Sequence, residues 1–584
     1  MRRVAFAAAV ILALAIAPSA LAADPTTQTP GGSTTSPLEE PFAPATGEPR
    51  LKEPDVVKRF LDYPKVARWI ARYPPHPATD ATFDNATRRW TVKVWSGKAG
   101  EIALGNVEDG DGRISEAWTG PQVAWDMARG RVGSFGGKVL NAWWMWIPLS
   151  ALFFVGLADW RRLRSWYTID LLALLSFGLS LWFFNRGEVF RSAPLAAPPL
   201  AYLLVRMSWI GFRGRSFTPV LFWPVWLLAA IAVFLGGLRI GLNLETSRGV
   251  IDVGYAGVIG GDRILDGQSP YGNMPIRDTG RPCGGADSNG VVRDWIQANR
   301  RCESANPRGD TYGPMAYLAY VPATLTLLWS GKWDSLPAAH ATAIGFDLIL
   351  VLGLLLIGRR FGGARLAVVL AFGWLAFPFT AYVLNSNSND AIMPAILVWG
   401  FWLSTSGVAR GAAVALSGWT KFATLLLAPL WLTYPNGLRR GTAIRFVAGF
   451  VVASLAVFSI LLFEPSLSDA VRVFVDRTFG YQLDRGSPFS PWDWGQYHAR
   501  GIPDLGAVQL ILQVGVLALA GVVAVIPQRK GPLELAALSA AVLVGFELTL
   551  THWSYLYIPW FLPFVLLALF LPSGGSTDPE ATAS

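Results

Sequence analysis

The sequence is poor in charge and in the residue types that usually build metal centres. Only 15% of its 584 residues are Asp, Glu, Lys or Arg, whereas soluble chains carry about 25%. This deficit excludes an ordinary soluble protein. The chain has only 4 His and 2 Cys, and no close cluster of His, Asp and Glu indicates a dedicated metal site. No cofactor is assigned, and a need for a divalent cation stays open.

The basic residues do not form a patch of the kind that binds nucleic acid. The formal net charge is +9, but the Lys and Arg clusters recur between long apolar runs and therefore indicate membrane topology. Hydrophobic residues make up 52% of the chain, and its 26 Trp are typical of aromatic belts at membrane interfaces. The composition predicts a multi-pass membrane protein in contact with lipid, without a nucleic-acid partner.

The first fifty residues predict export. Residues 1–23 combine Arg2 and Arg3 with an apolar core and an Ala-Leu-Ala cleavage pattern at 20–22, as in a secretory signal peptide. An uncleaved anchor helix is the alternative and leaves the topology unchanged. Residues 24–50 are rich in Pro, Thr, Ser and Gly and predict a flexible, disordered linker. The chain that follows is expected to begin outside the cytoplasm.

Residues 51–138 predict a small α+β extracytoplasmic domain. Apolar residues first recur at helical spacing, and apolar and polar residues then alternate around Val92 and Leu104, as in strands. A DGDG turn lies at 109–112. The pattern resembles the PepSY-like modules of exported bacterial proteins. Because no His/Cys/Asp constellation occurs here, we expect an accessory or binding role for this domain.

From residue 142 onward, apolar runs long enough to span a bilayer recur. The positive-inside rule gives their directions and predicts eleven full spans plus a hairpin, in an all-α bundle of about 11–13 transmembrane helices. We divide this part into accessory helices at 141–218, a main membrane domain at 219–572, and a disordered cytoplasmic tail at 573–584. The loop that begins near Asp252 then lies outside the cytoplasm.

Two segments depart from simple spanning helices. If residues 312–330 crossed the membrane, the basic stretch at 358–365 would lie outside, so we predict a juxtamembrane or re-entrant element. Residues 411–434 lie between two basic clusters, which predicts a hairpin of two short helices with residues 419–421 at its tip.

The outer loop that starts at Asp252 carries both cysteines of the chain, Cys283 and Cys302. In an oxidising compartment two cysteines in one exposed loop favour a disulfide over two free thiols. Closing such a loop of about 20 residues stabilises it by roughly 3 kcal/mol.

By this topology, acids and bases gather on the outer face of a membrane protein. Such a set suits a reaction on a lipid phosphate. A cation stabilises the phosphate leaving group, and a carboxylate takes the proton of an incoming hydroxyl.

Several motifs together resemble the bacterial polytopic glycosyltransferases of the GT-C class, nearest to glycosyltransferase family 87 and its mannosyltransferase-like proteins. They cover about residues 219–572. Three extra spans and the exported domain precede them, unlike the simplest members. The motifs are DVGYAGVIGGDRILDGQSPY at 252–271, YGP at 312–314, NSNSND at 385–390, SGWTKFATLLLAPLW around Lys421, DRTFGYQLDRGSPFSPW at 476–492 and HWSYLYIPW at 552–560.

The resemblance implies an inverting hexosyltransferase that moves a sugar, mannose by analogy, from a polyprenyl-phosphate donor to a lipid or glycan acceptor of the cell envelope. It assigns Asp252 as the general base in an active site outside the cytoplasm. The remaining candidates fall into two groups: Lys421, Arg477, Arg485 and His552 for the donor phosphate and lipid, and Tyr255, Asp262, Tyr271 and Asp390 for the acceptor or a second site.

Each main candidate has a structural alternative. Asp252 could cap the following helix, and Lys421 could anchor at the interface by snorkelling. Arg485 could pair with a nearby acid, and His552 could be structural. Asp390 could be a second acid, a metal ligand or an ordinary loop residue.

Two other functions stay open at this point. A transporter or lipid flippase of the cell envelope is the main alternative, although the sequence shows no convincing internal repeat and its polar residues gather at one face. A scaffold that presents the exported domain is the third hypothesis, and it would not need acids and bases in two distant loops.

Overall fold

A computed structural model describes residues 48–572 except 131–132, 134, 216, 246–248, 278–279 and 287–290. The predicted signal peptide, most of the predicted linker and the predicted tail lie outside the described residues. Residues 51–572 belong to one compact unit.

The N-terminal sheet region, residues 53–119, is two helices followed by an antiparallel sheet of order β1-β2-β3-β4. Tyr63 separates the helices, because the residue before Pro64 is disfavoured in the helical conformation. Val92 and Val94 of β2 alternate with exposed or half-buried neighbours and form the core with Phe60. The elements are α1 Glu53–Asp62, α2 Pro64–Ile70, β1 Ala78–Asp84, β2 Arg89–Trp95, β3 Glu101–Glu108 and β4 Ile114–Thr119.

Two short helices and then the first apolar helices follow the sheet. The predicted accessory runs form helices close to their predicted positions. In order they are α3 Pro121–Ala124, α4 Gly137–Asn141, α5 Trp143–Leu157, α6 Trp166–Phe184, α7 Val189–Arg213 and α8 Val225–Glu245.

The next part of the chain begins with a helix at Asp252 and carries a small hairpin in the cysteine-containing loop. The segment predicted to be re-entrant consists of two short helices separated near Tyr320, each much shorter than the roughly 20 residues of a span. These elements are α9 Asp252–Leu265, β5 Asp294–Ile296, β6 Cys302–Ser304, α10 Pro314–Leu318 and α11 Val321–Leu327.

The remaining helices complete the bundle. α12 is broken at Gly362 and Gly363, whose backbone angles are not helical. The predicted hairpin is present, with residues 419–421 between α15 and a 3₁₀ helix at Phe422–Leu427. The helices are α12 Pro337–Ala376, α13 Pro378–Asn385, α14 Ile392–Trp402, α15 Gly407–Gly418, α16 Ala428–Thr433, α17 Arg440–Phe458, α18 Leu467–Val475, α19 Tyr481–Asp484, α20 Gly506–Val525, α21 Pro532–Leu548 and α22 Ile558–Phe570.

The chain is a mostly helical membrane protein. Within the described residues, six helices are long and apolar enough to cross a membrane, against the eleven full spans predicted from sequence. Part of the difference arises because α12, counted once, has 40 residues and covers two of the predicted apolar runs on either side of its break. Other apolar runs form helices shorter than about 20 residues; α22, for example, has 13. The six are Trp166–Phe184, Val189–Arg213, Val225–Glu245, Pro337–Ala376, Arg440–Phe463 and Gly506–Val525.

Candidate functional site

The start of α9 is fixed by close packing of its glycines. A Cβ on Gly254 would lie 2.1 Å from the backbone oxygen of Asn387, and one on Gly257 would lie 2.4 Å from the ring of Tyr320. Any larger residue would push the helix away from these neighbours. The glycine-rich sequence after Asp252 therefore lets α9 approach the NSNSND loop closely.

The NSNSND loop, residues 385–390, is itself held in place next to the first turn of α9. Asn387 adopts a left-handed backbone conformation with φ of 50°, which Asn tolerates better than most residues. Its side-chain oxygen accepts a hydrogen bond of 2.8 Å from Asn243 of α8. The backbone N–H of Ile251 donates to the oxygen of Ser386 at 3.3 Å. The bond from Ile251 fixes the position of the backbone immediately before Asp252.

A cavity of about 740 Å³ lies against this point. Most of its wall is aromatic or aliphatic, and it reaches Leu517 of α20, whose side chain is 58% exposed on a helix long enough to span the membrane. The cavity therefore connects with the apolar surface of the protein. Its charged and ionisable lining residues include Asp252, Asp390, Lys421, Arg485 and His552, five of the nine candidates for catalysis, donor binding and acceptor binding.

Asp252 lines this cavity and is accessible through it, with protein on the surrounding sides. It is the first residue of α9 and not its cap, since Ile251 holds the N-cap position without a side-chain hydrogen bond. The surrounding protein raises the pKa of Asp252 by desolvation, while the positive charges of Arg485 and Lys421 oppose the rise. Asp252 makes no ion pair within the described part of the chain. It is a carboxylate free to accept a proton.

Arg485 is held by a histidine and two aromatic rings. Its guanidinium lies 3.1 Å from Nε2 of His552 and 5.6 Å from the ring centroids of both Trp125 and Tyr481. Nδ1 of His552 lies 2.9 Å from the hydroxyl of Ser487. Nε of Arg485 is buried without a hydrogen-bond partner in the described chain. Arg485 thus lines the cavity with its guanidinium held by His552.

Lys421 lies at the tip of the hairpin and pairs with Asp390. The Nζ–Oδ1 distance is 3.1 Å, and the side chains are 10% and 1% exposed. The indole N–H of Trp560 donates to the same carboxylate at 3.1 Å. Nζ also lies 4.8 Å from the ring centroid of Tyr312 and 5.9 Å from that of Tyr557. Snorkelling of Lys421 to the interface is therefore not what the structure shows, and Asp390 is an ion-pair partner.

Two charged candidates do not line the cavity. Arg477 is 48% exposed and its Nε lies 3.4 Å from Oδ2 of Asp310. Asp262 forms ion pairs with Arg263 at 3.0 Å and with Arg301 at 2.9 Å. Neighbouring charges of opposite sign pair with both side chains away from the cavity lining. The assignment of Arg477 to the donor phosphate and of Asp262 to the acceptor stays a prediction.

The two tyrosine candidates are also placed outside the cavity lining. Tyr255 is fully buried, stacks on Trp333 at 4.4 Å, and donates a hydrogen bond of 2.5 Å to the backbone oxygen of Ser304. Tyr271 donates to the backbone oxygen of Tyr312 at 2.8 Å. Both hydroxyls donate to backbone oxygens, which gives each tyrosine a structural role, and their assignment to the acceptor or a second site stays a prediction.

The cysteine-containing loop covers α9. Cys283 and Cys302 form the predicted disulfide. The residue after Cys302, Glu303, is buried and forms an ion pair with Arg263 of α9. The disulfide therefore closes a loop that packs on the helix carrying Asp252.

Sequence reasoning missed the part of the cavity wall that comes from residues before 252. Met127 and Phe135, which follow the sheet region, line the cavity together with Phe184, Val189 and Ser192. No motif marks these residues, since each is an apolar or small residue without a distinctive sequence pattern around it. Only the fold brings them to the site.

Comparisons with known proteins give no further assignment. No family model matches the chain, and no curated protein matches it. Among the described residues, no group of three or more His, Cys, Asp or Glu could hold a metal ion.

Proposed function

We propose that this protein is an integral membrane glycosyltransferase that uses a polyprenyl-phosphate sugar as donor. One observation carries the proposal: the free carboxylate of Asp252 shares a mostly apolar cavity with Arg485 and Lys421, and that cavity reaches a lipid-facing helix. A polyprenyl-phosphate sugar has the matching order of parts, namely an apolar chain, one phosphate and a polar sugar.

In this proposal the donor phosphate binds to Arg485 and Lys421. Arginine binds phosphate oxygens through several N–H groups, and such charge-assisted bonds are stronger than neutral ones. Arg485 lines the cavity and forms no ion pair within the described residues, which supports this role. Lys421 contributes less free charge because Asp390 already neutralises it. The prenyl chain follows the aliphatic wall toward Leu517.

Asp252 acts as the general base. It takes the proton of an acceptor hydroxyl while that oxygen forms a bond to the anomeric carbon of the sugar. The bond between the anomeric carbon and the phosphate oxygen breaks, and the electron pair leaves with the phosphate toward Arg485. Attack from the side opposite the phosphate inverts the anomeric carbon. A raised pKa makes the carboxylate a stronger base than an ordinary aspartate.

The active site is assigned to the outer side of the membrane. The positive-inside rule places the loop after Asp252 outside the cytoplasm. The disulfide in that loop supports the same side, because disulfides persist in oxidising compartments. Mannose as the sugar, and a lipid or glycan of the cell envelope as the acceptor, follow from the family resemblance.

The test is sugar transfer in isolated membranes with radiolabelled polyprenyl-phosphate mannose, comparing the wild type with Asp252→Asn. We expect label in a lipid or glycan product with the wild type, and a rate lower by about 10²–10⁴-fold with the variant, the usual contribution of a general base. The matched control is Asp262→Asn, an ion-paired aspartate on the same helix, which should retain transfer.

Two outcomes contradict the proposal. Equal transfer by the wild type and Asp252→Asn would remove Asp252 from the mechanism. Movement of intact labelled donor across the membrane, without a new glycosidic product, would favour the transporter or flippase alternative.

A further inference from the structure

The connector, residues 121–130, joins the N-terminal sheet region to the rest of the chain. Gln122 accepts a hydrogen bond from Lys65 of α2 at 2.6 Å and donates one to the backbone oxygen of Gly187 at 3.0 Å. A Cβ on Gly130 would lie 2.4 Å from the backbone nitrogen of Gly187. The connector is therefore tightly packed against the turn that precedes α7.

A second contact joins the N-terminal sheet region to the first turn of α7. The ring of Trp69 stacks on Phe190 with centroids 5.5 Å apart, and Tyr497 lies edge-on to both rings. The residue before Phe190 is Val189, which lines the cavity. The sheet region and the cavity wall thus share the first turn of α7, so the position of one constrains the other.

Trp125 of the connector contacts two donor-phosphate candidates, Arg485 and His552, without lining the cavity itself. Its ring lies 5.4 Å from Phe489, 5.8 Å from His552 and 5.6 Å from the guanidinium of Arg485. Tyr481 lies at the same distance from that guanidinium. Trp125 is not itself among the residues that line the cavity. Any effect it has on a ligand must pass through the residues it supports.

We propose that Trp125 is a positioning residue that holds the Arg485 guanidinium toward the cavity, so that the connector, packed against the N-terminal sheet region, is an integral part of the donor-phosphate site. This inference rests on the proposed function. It gives part of residues 51–138 a role in the donor site, whereas the sequence alone predicts an accessory or binding role for that domain.

The geometry explains why an aromatic ring is needed at this position. A guanidinium is planar and lies favourably against aromatic faces, with a gain that grows where water is excluded. Contacts with Trp125 and Tyr481, and the bond to His552, restrict the plane of the group. A free arginine side chain would lose more rotamer entropy on binding a phosphate. Preorganisation by Trp125 therefore favours phosphate binding without contact between Trp125 and the ligand.

The first measurement is the affinity of the purified full-length protein in nanodiscs for farnesyl phosphate, a short prenyl monophosphate, by isothermal titration calorimetry. We expect Arg485→Ala to abolish binding and Trp125→Ala to weaken it about tenfold, the upper part of the cation–π range. Trp125→Phe, which keeps a smaller aromatic face, should recover part of the loss. The matched control is Trp226→Ala, since Trp226 is 70% exposed on α8 and does not line the cavity.

In the transfer assay the same variants separate positioning from a general loss of structure. Trp125→Ala should raise KM for the prenyl-phosphate sugar with a smaller change in kcat, because it acts on donor binding. A fall in kcat with unchanged KM and unchanged farnesyl phosphate affinity would overturn the inference.

A second measurement does not depend on the enzymatic proposal. A double-mutant cycle on the apparent Tm compares Trp125→Ala, Arg485→Ala and the double variant. We expect the double variant to lose less than the sum of the single losses. Additive losses would overturn the positioning role. Coupling together with no farnesyl phosphate binding by the wild type would retain the Trp125–Arg485 relationship and reject the proposed donor class.

Discussion

Arg485 donates a hydrogen bond to Nε2 of His552 across 3.1 Å. A guanidinium has only donors, so Nε2 must be the acceptor and the ring proton must lie on Nδ1. Nδ1 then donates to the hydroxyl of Ser487 at 2.9 Å. Burial, followed by the charges of Arg485 and Lys421, lowers the pKa of His552 well below its ordinary value. His552 is therefore a neutral acceptor that orients Arg485, and not a second cation for the phosphate.

The pair predicts different effects for two substitutions of His552. His552→Phe removes the acceptor and should weaken farnesyl phosphate binding about tenfold or more, because hydrogen bonds to charged groups contribute about 1.5–3 kcal/mol. His552→Gln retains a side-chain oxygen and should lose less affinity. Titration calorimetry on the purified variants measures both. Equal affinities for the two variants would show that the histidine acts only by filling space.

Asp252 is expected to lower the stability of the folded protein at neutral pH. Its pKa is raised in the folded state, so the ionised form is disfavoured there relative to the unfolded chain. This penalty is present above the folded pKa and disappears as the pH falls to the unfolded value. Asp252→Asn should therefore raise the apparent Tm at pH 7, by on the order of 1 °C for a protein of this size.

Thermal unfolding of the wild type and Asp252→Asn in the same detergent at pH 7 and near pH 4 provides the check. The gain should shrink at the lower pH, where the wild-type carboxyl binds a proton. A lower Tm for Asp252→Asn at pH 7 would show that Asp252 is a structural residue, as the helix-capping alternative predicts.

The rate of sugar transfer should have an acidic limb set by Asp252. A general base must be deprotonated, so the rate falls as the pH drops through the folded pKa, which lies above the ordinary value of 3.8. His552 stays neutral and should give no inflection near 6.5, its ordinary value. The kcat/KM profile of the wild type measures this. A limb that persists unchanged in the residual activity of Asp252→Asn would assign it to another group.

Local features of the structure could be predicted from the sequence because their signals are local. Apolar runs bounded by basic residues gave helices close to their predicted positions, such as α6 and α20. The hairpin tip at residues 419–421 followed from charge on both sides of one apolar run. The disulfide between Cys283 and Cys302 followed from two cysteines in one loop.

The composition of the site could not be predicted to the same extent, because it depends on packing between distant segments. Arg477 and Arg485 look equivalent in sequence, but Asp310 holds the first at the surface and His552 holds the second at the cavity. In the sequence Asp262 and Asp252 look like equivalent acids, but in the structure Asp262 forms an ion pair with Arg301. No local pattern brings Trp125 to Arg485.

The count of six long apolar helices is lower than the predicted eleven spans for a related reason. Hydropathy counts apolar residues, whereas a span also needs an uninterrupted helix of about 20 residues. α14 has 11 residues and lies in an apolar run of predicted spanning length. Its residues are mostly buried by neighbouring helices, so its hydrophobicity is explained by protein contacts whether or not the helix crosses the membrane.

Substitutions in the ion pair between Lys421 and Asp390 are expected to affect thermal stability and ligand binding differently. Both side chains are buried and 3.1 Å apart, and removal of one partner from such a pair costs about 3–5 kcal/mol because the other charge stays buried. Lys421→Met and Asp390→Asn should each lower the apparent Tm clearly. The double variant has no uncompensated charge and should be more stable than Lys421→Met.

Farnesyl phosphate binding distinguishes the two residues within this cycle. Asp390→Asn releases Lys421 from its counter-charge and should strengthen binding in the fraction that folds, whereas the double variant has lost the cation and should bind more weakly than the wild type. Recovery of Tm without recovery of affinity in the double variant would establish that Lys421 stabilises the fold through Asp390 and holds the phosphate through its own charge. Full affinity in the double variant would leave Arg485 as the phosphate-binding cation and reduce Lys421 to a partner of Asp390.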